Sequence, residues 1–259
     1  MLGWFAYLWF TPIPAPYQYQ LISEGDSKKF PQMDLDAWPD LKLSQYKVQA
    51  EGIDKPIAEL IVAQQGDGPR VLTYWKNSTN EILYNLDRKP SELSALAAVI
   101  GKHAPKDALI LSWWDTSRQI KLLTGHDTLF NSHLNEPLMV PVAWLEQSKA
   151  IMAYENHFWE SSASSKEQEQ FKRFSQALAA SAEEGVTQLR ELIGSSREAY
   201  LIVHVTDLYK LGLMYPDKIG VAYQNFPLTG NMHGMINHMK VQLKENDFNT
   251  YTLQSLSDE

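Results

Sequence analysis

The chain reads as an α/β protein: a mixed, largely parallel sheet flanked by helices, with a short N-terminal membrane-anchor remnant. Three observations lead there. Short apolar runs of strand length alternate with longer amphipathic stretches, the order expected of parallel strands joined by crossover helices. Hydrophobic residues make up 44% and charged residues 21% of the 259 residues, the composition of a folded globular chain. The first ten residues, MLGWFAYLWF, hold five aromatic rings and no charge, unlike anything after them.

That opening run is half the ~20 residues a spanning helix needs. It has neither the basic start nor the small-residue cleavage site of a signal peptide. Trp and Tyr favour the bilayer interface, so the segment reads as the outer end of a truncated membrane anchor. A first strand or helix packed on the core is the competing reading. Pro12, Pro14 and Pro16 then stop any helix and impose an extended stem. The expected organisation is therefore anchor and stem over 1–20, a polar linker or docking segment over 21–50, and one α/β domain over 51–259.

Within that domain, Ile57–Ala63 and Arg70–Lys76 read as strands joined by the turn Gly66-Asp67-Gly68-Pro69. Pro90 opens a helix through about Lys102, with Ala95, Leu96, Val99 and Ile100 as its apolar stripe. Asp107–Trp113 is a buried strand, and Thr116–Leu123 a helix stopped by Gly125. Ala143–Phe158 reads as helix. Ser165–Ile193 reads as a long amphipathic stretch divided at Gly185 and closed by Gly194. Ala199–Val205 is a second buried strand, followed by a helix capped by Thr206 or Asp207. A strand over Ile219–Tyr223, a helix over Asn231–Lys244 and a strand over Tyr251–Ser255 complete the chain.

A net charge of −8 without a basic stripe argues against a nucleic-acid partner, because phosphate neutralisation needs clustered Lys and Arg. The absence of cysteine removes disulfides, thiolate nucleophiles, Fe–S clusters and covalent c-type haem. No Walker A loop, dinucleotide fingerprint or nucleophile elbow occurs. Seven histidines are present, including His126 and His133, but none shows a metal-ligand spacing. No cofactor and no metal are therefore expected; a non-covalent cofactor stays compatible with the sequence.

Chemistry is expected beyond the carboxyl ends of the two buried strands. The first runs into Trp113-Trp114-Asp115 and then Arg118; the second runs into His204 and Asp207. An indole face binds alkyl groups, cations or sugars, and a carboxylate accepts hydrogen bonds from a hydroxyl or amide. Trp113, Trp114, Asp115, Arg118, His126 and Asp207 are the candidate ligand-binding residues. The alternative has the indoles in the core, Asp115 capping a helix, and Arg118 on a solvated face. It weighs slightly more, because Asp is a preferred cap.

Two resemblances rest on these residues. The stretch Leu109–His133 (LILSWWDTSRQIKLLTGHDTLFNSH) resembles the Trp-Trp-Asp region of the oligosaccharyltransferase catalytic subunit. That likeness implies hydroxyl recognition by Trp113, Trp114 and Asp115. This chain has Thr116-Ser117 where that family has Tyr-Gly, and it lacks that family's multi-span membrane domain, so glycosyl transfer is not implied. Over nearly its full length the chain resembles the hydroxylamine oxidation protein HaoB family. The stretches Gly3–Asp26, Val71–Asn77 and Leu109–Gly125 carry that likeness. It implies a membrane-anchored accessory protein on the periplasmic side of the inner membrane, associated with hydroxylamine oxidoreductase or its multihaem cytochromes. An enzyme acting on a hydroxylated or peptide substrate, with Asp115, His126 and Asp207 as acid–base groups, is the alternative. A purely structural tether is the third.

Overall fold

A computed structural model describes residues 14–78, 90–134, 140–160, 163–194, 197–221 and 232–248. The described residues fall into two compact units, one ending at Val203 and the other beginning at His204. The proposed anchor, and the strand expected over Tyr251–Ser255, lie outside the described residues. Among those described, no helix is long and apolar enough to cross a membrane.

The first unit opens with a four-stranded antiparallel meander in the order β1-β2-β3-β4. Its strands are β1 (Tyr17–Gly25), β2 (Leu41–Ala50), β3 (Ala58–Gln65) and β4 (Val71–Asn77). The β3–β4 hairpin forms around the glycine turn as its sequence predicts, with Gly66 at φ 53°. Alternation puts Leu41, Leu43, Ile61 and Ala63 on one face and Val48, Ala58, Leu60 and Val62 on the other. Both faces are covered, so apolar residues occur at successive positions Leu60–Ala63 of β3.

Residues 21–50, expected as a polar linker or docking segment, hold β2 and half of β1. Two 3-10 turns, Ser27–Lys29 and Pro31–Met33, join these strands. Phe30, Met33 and Leu35 are buried and pack on the first face of the sheet. Polar residues outnumber these three in the stretch, which hides their role from a composition reading.

Helix α1 (Pro90–His103) and helix α2 (Trp114–Thr124) follow. Leu93 and Ala97 of α1 and Leu123 of α2 cover the first face. The buried side of α1 is Leu93, Ala97 and Ile100, while Val99 is 56% exposed, so the stripe is rotated from the one expected. Glycine at φ 71° ends α2 at Gly125, as its sequence predicts.

Between these helices lies β5 (Leu109–Leu111), fully buried. It pairs in parallel with β6 (Asp127–Thr128) and with β7 (Ala199–Leu201). The two strands read from sequence as buried are neighbours, Leu109 opposite Ala199 and Leu111 opposite Leu201, but only the first is buried: β7 is an edge strand that stops at Leu201, short of the expected Val205, with Tyr200 36% and Leu201 47% exposed. The parallel sheet is, however, the smaller of the two: the larger is wholly antiparallel, contrary to the expectation of a largely parallel sheet.

A 3-10 helix (Val142–Gln147) leads into α3 (Ser148–Trp159), whose Phe158 and Trp159 cover the second face of the meander. The stretch expected as one amphipathic run is a hairpin of α4 (Ser165–Leu178) and α5 (Ala182–Ile193). Ser164 and Glu167 form a reciprocal capping box on α4, and Ser181 caps α5, so the break falls before Gly185. Gly185 instead permits close approach: a Cβ there would lie 2.5 Å from the Ala177 carbonyl oxygen.

The second unit contains α6 (Val205–Met214) and α7 (Met232–Glu245). His204, not Thr206 or Asp207, is the N-cap of α6. Residues 219–221 of the expected Ile219–Tyr223 strand are not in a strand, and the remainder lies outside the described residues.

Candidate functional site

The Trp-Trp-Asp tripeptide lies where β5 turns into α2, and its three members have different fates. Trp113 is the N-cap and is 1% exposed, its ring edge-on to Phe171 at 5.0 Å. It is a core residue, which removes it as a ligand-binding face. Trp114, the first helical residue, is half-buried and meets the His133 ring edge-on at 4.6 Å. Asp115 is half-buried in the first turn, where a carboxylate suits the helix dipole. Its Oδ1 accepts from the Thr116 backbone N–H at 2.6 Å, so it bonds within the turn and does not cap it.

Arg118 lies one turn on. It is 3% exposed, not on the solvated face expected of it. Its Nη2 donates to the Arg70 carbonyl oxygen at 2.6 Å, while the adjacent Gln119 donates to the Leu72 carbonyl at 2.7 Å. These two bonds fasten α2 to the meander. Arg118 Nη1 lies 3.0 Å from His133 Nδ1. A guanidinium has no acceptor, so His133 Nδ1 accepts and the ring proton sits on Nε2. Burial, reinforced by the Arg118 charge, pushes the His133 pKa down to about 3. Burial likewise lowers that of Arg118 to about 10, against the opposing pull of Asp115.

His133 Nε2 points toward Glu155 Oε2 at 4.0 Å, a polar contact and not an ion pair, since the ring is neutral. Glu155 gathers three ring donors: Trp159 Nε1 at 2.7 Å, the Tyr19 hydroxyl at 2.7 Å, and the Tyr17 hydroxyl. Burial and the neighbouring carboxylate hold both tyrosines above the ordinary phenol range. The His133 ring stacks on Trp159 at 4.6 Å, with an interplanar angle of 15°. The result is a row of polar groups, Arg118, His133 and Glu155, hydrogen-bonded between the first two and 4.0 Å apart between the last two, flanked by aromatic rings where α2, α3, β1 and the segment before residue 134 meet.

The other expected residues lie elsewhere. His126 is 4% exposed, and neither ring nitrogen has a hydrogen-bond partner. Asp207 is buried and occupied: its Oδ2 accepts from the His204 backbone N–H at 2.9 Å, and its Oδ1 lies 3.3 Å from Lys210 Nζ. Among the described residues, no group of three or more His, Asp or Glu side chains is arranged to hold a metal ion. A shallow open depression lies on the meander, lined by Glu24, Lys42, Ser44, Tyr46, Val62, Gln64 and Arg70. It does not include the tripeptide.

Sequence reasoning passed over Glu155, Tyr17, Tyr19 and Trp159. One signal was present: Glu155 and Trp159 are four apart, so they share a helix face. The tyrosines alternate on a strand and so point the same way.

The fold and site define a mixed α/β protein in which the buried Arg118 and Gln119 hold a helix to a sheet. The family model described as HaoA-associated protein HaoB matches residues 1–259, and the chain belongs to that family. No curated protein and no solved structure matches it.

Proposed function

We propose that this chain is an accessory protein of hydroxylamine oxidation that binds hydroxylamine oxidoreductase or an associated multihaem cytochrome. It works from the periplasmic side of the inner membrane, held there by its N-terminal segment, and carries no covalent haem of its own. The single observation behind this reading is membership, over the whole chain, of a family described as HaoA-associated. Composition supports the haem statement, since covalent attachment through C-x-x-C-H needs cysteines the chain lacks.

The geometry favours binding over catalysis. Arg118 and His133 are buried, and the carboxylate of Glu155 is already engaged by three donors. Asp207 is taken up by the start of α6, and His126 is sealed. Trp114 and Asp115 are the partly exposed members of the tripeptide, and they are the contact residues of this reading. Affinity capture of the tagged full chain from native membranes tests it. A multihaem oxidoreductase should co-purify; recovery of the chain from the membrane fraction without one would refute the association.

A further inference from the structure

One end of the meander carries an apolar surface beside the point where the aromatic N-terminal segment joins the fold. The junction is Pro16–Tyr17. The Pro16 carbonyl accepts from the Glu51 backbone N–H at 2.9 Å, and Tyr17 stands opposite Ala50. That register places the β2–β3 turn, with Ile53 47% exposed, at the junction. On its other side, the Tyr17 ring packs on Trp144 at 5.5 Å, which fixes the 3-10 helix Val142–Gln147 there. No residue of that helix is buried; Val142 is 85% exposed and Leu145 53%. Apolar side chains exposed singly, such as Val186 on α5, are ordinary on a protein surface and ask for no occupant. Here Val142, Leu145 and Ile53, from two separate elements, flank one chain junction, where the half-buried Trp144 packs on Tyr17.

We infer that this end of the meander is a membrane-docking surface, on which Val142, Leu145 and Ile53 enter the interfacial layer of a phospholipid bilayer. The occupant is lipid because all sixteen residues before Tyr17 are uncharged, and the first ten, half of them aromatic, are of the kind that partitions to that layer. The six-residue stem Thr11–Pro16 ties that run to the junction, so whatever flanks the junction stays within about 20 Å of the interface. The charges beside the patch are of both signs, with Glu51, Asp54 and Glu146 against Lys55 and Lys149, so apolar insertion and not headgroup charge drives the contact. The inference rests on the proposal that residues 1–10 hold the chain at the membrane.

The absence of cysteine makes the test clean. Leu145→Cys, in the full chain, carries an environment-sensitive fluorophore; Val186→Cys carries the same label as a control. Both are mixed with vesicles of phosphatidylethanolamine and phosphatidylglycerol. The Leu145 label should shift to the blue and lose its signal to acyl-chain nitroxide quenchers, while the Val186 label does neither. Sedimentation with the vesicles while the Leu145 label stays in water would overturn the docking surface and leave the anchor standing. Failure to sediment at all would overturn the anchor, and the docking surface with it.

Discussion

His126 and His133 stand seven positions apart on either side of β6 and are equally shielded, at 4% and 6% exposure, yet their surroundings are opposite. His133 faces the meander, where Arg118 fixes its tautomer and Trp159 stacks on it. His126, beside the parallel sheet, has no partner for either ring nitrogen. A buried polar group that is paired specifies one arrangement; one left unpaired costs free energy. The stretch is thus held at both ends, by β6 pairing with β5 and by His133 against Arg118 and Trp159, and only the second end gives a histidine ring its polar partner.

The largest effect should come from removing the carboxylate that collects the ring donors. Glu155→Ala leaves Tyr17, Tyr19 and Trp159 without their acceptor and should cost about 3 kcal/mol in urea unfolding. Glu155→Gln, which keeps an acceptor, should cost less. Equal losses would mean that packing and not the hydrogen bonds carries the contact.

Acid should act next. The His133 pKa falls from an unfolded value of 6.5 to about 3 in the folded chain. Between those values the unfolded chain binds the proton and the folded chain does not. This group's contribution is thus complete above pH 6.5 and falls by up to about 1.4 kcal/mol per pH unit as pH drops toward 3. His133→Asn should flatten that slope; an unchanged slope would assign it to other groups. The smallest effect is expected at the other histidine. His126→Leu removes an unpaired polar ring and should leave stability within about 1 kcal/mol or raise it. A loss above about 3 kcal/mol would show that the ring has a role the comparison misses.

Much of the fold was legible because local rules set it. The β3–β4 hairpin followed from its glycine turn, α2 from its Gly125 stop, and the buried strand β5 from its apolar run. What failed depended on distant partners. Nothing local distinguishes Trp113 from Trp114; Phe171, some sixty residues away, seals the first. Arg118 is buried because Arg70 and His133 offer it acceptors, and neither lies near it in sequence. Phe30, Met33 and Leu35 joined the core through a strand pairing that their polar neighbours concealed.

The central claim is that the protein acts through association, with Asp115 at the contact and the Arg118–His133–Glu155 row as framework. Titration of the full chain against hydroxylamine oxidoreductase, beside Asp115→Ala, tests it most directly. The account predicts binding by the natural chain and about tenfold weaker binding by the variant, equivalent to about 1.4 kcal/mol, at an unchanged melting temperature. Equal affinities, or a variant that loses its fold without a specific binding defect, would contradict it.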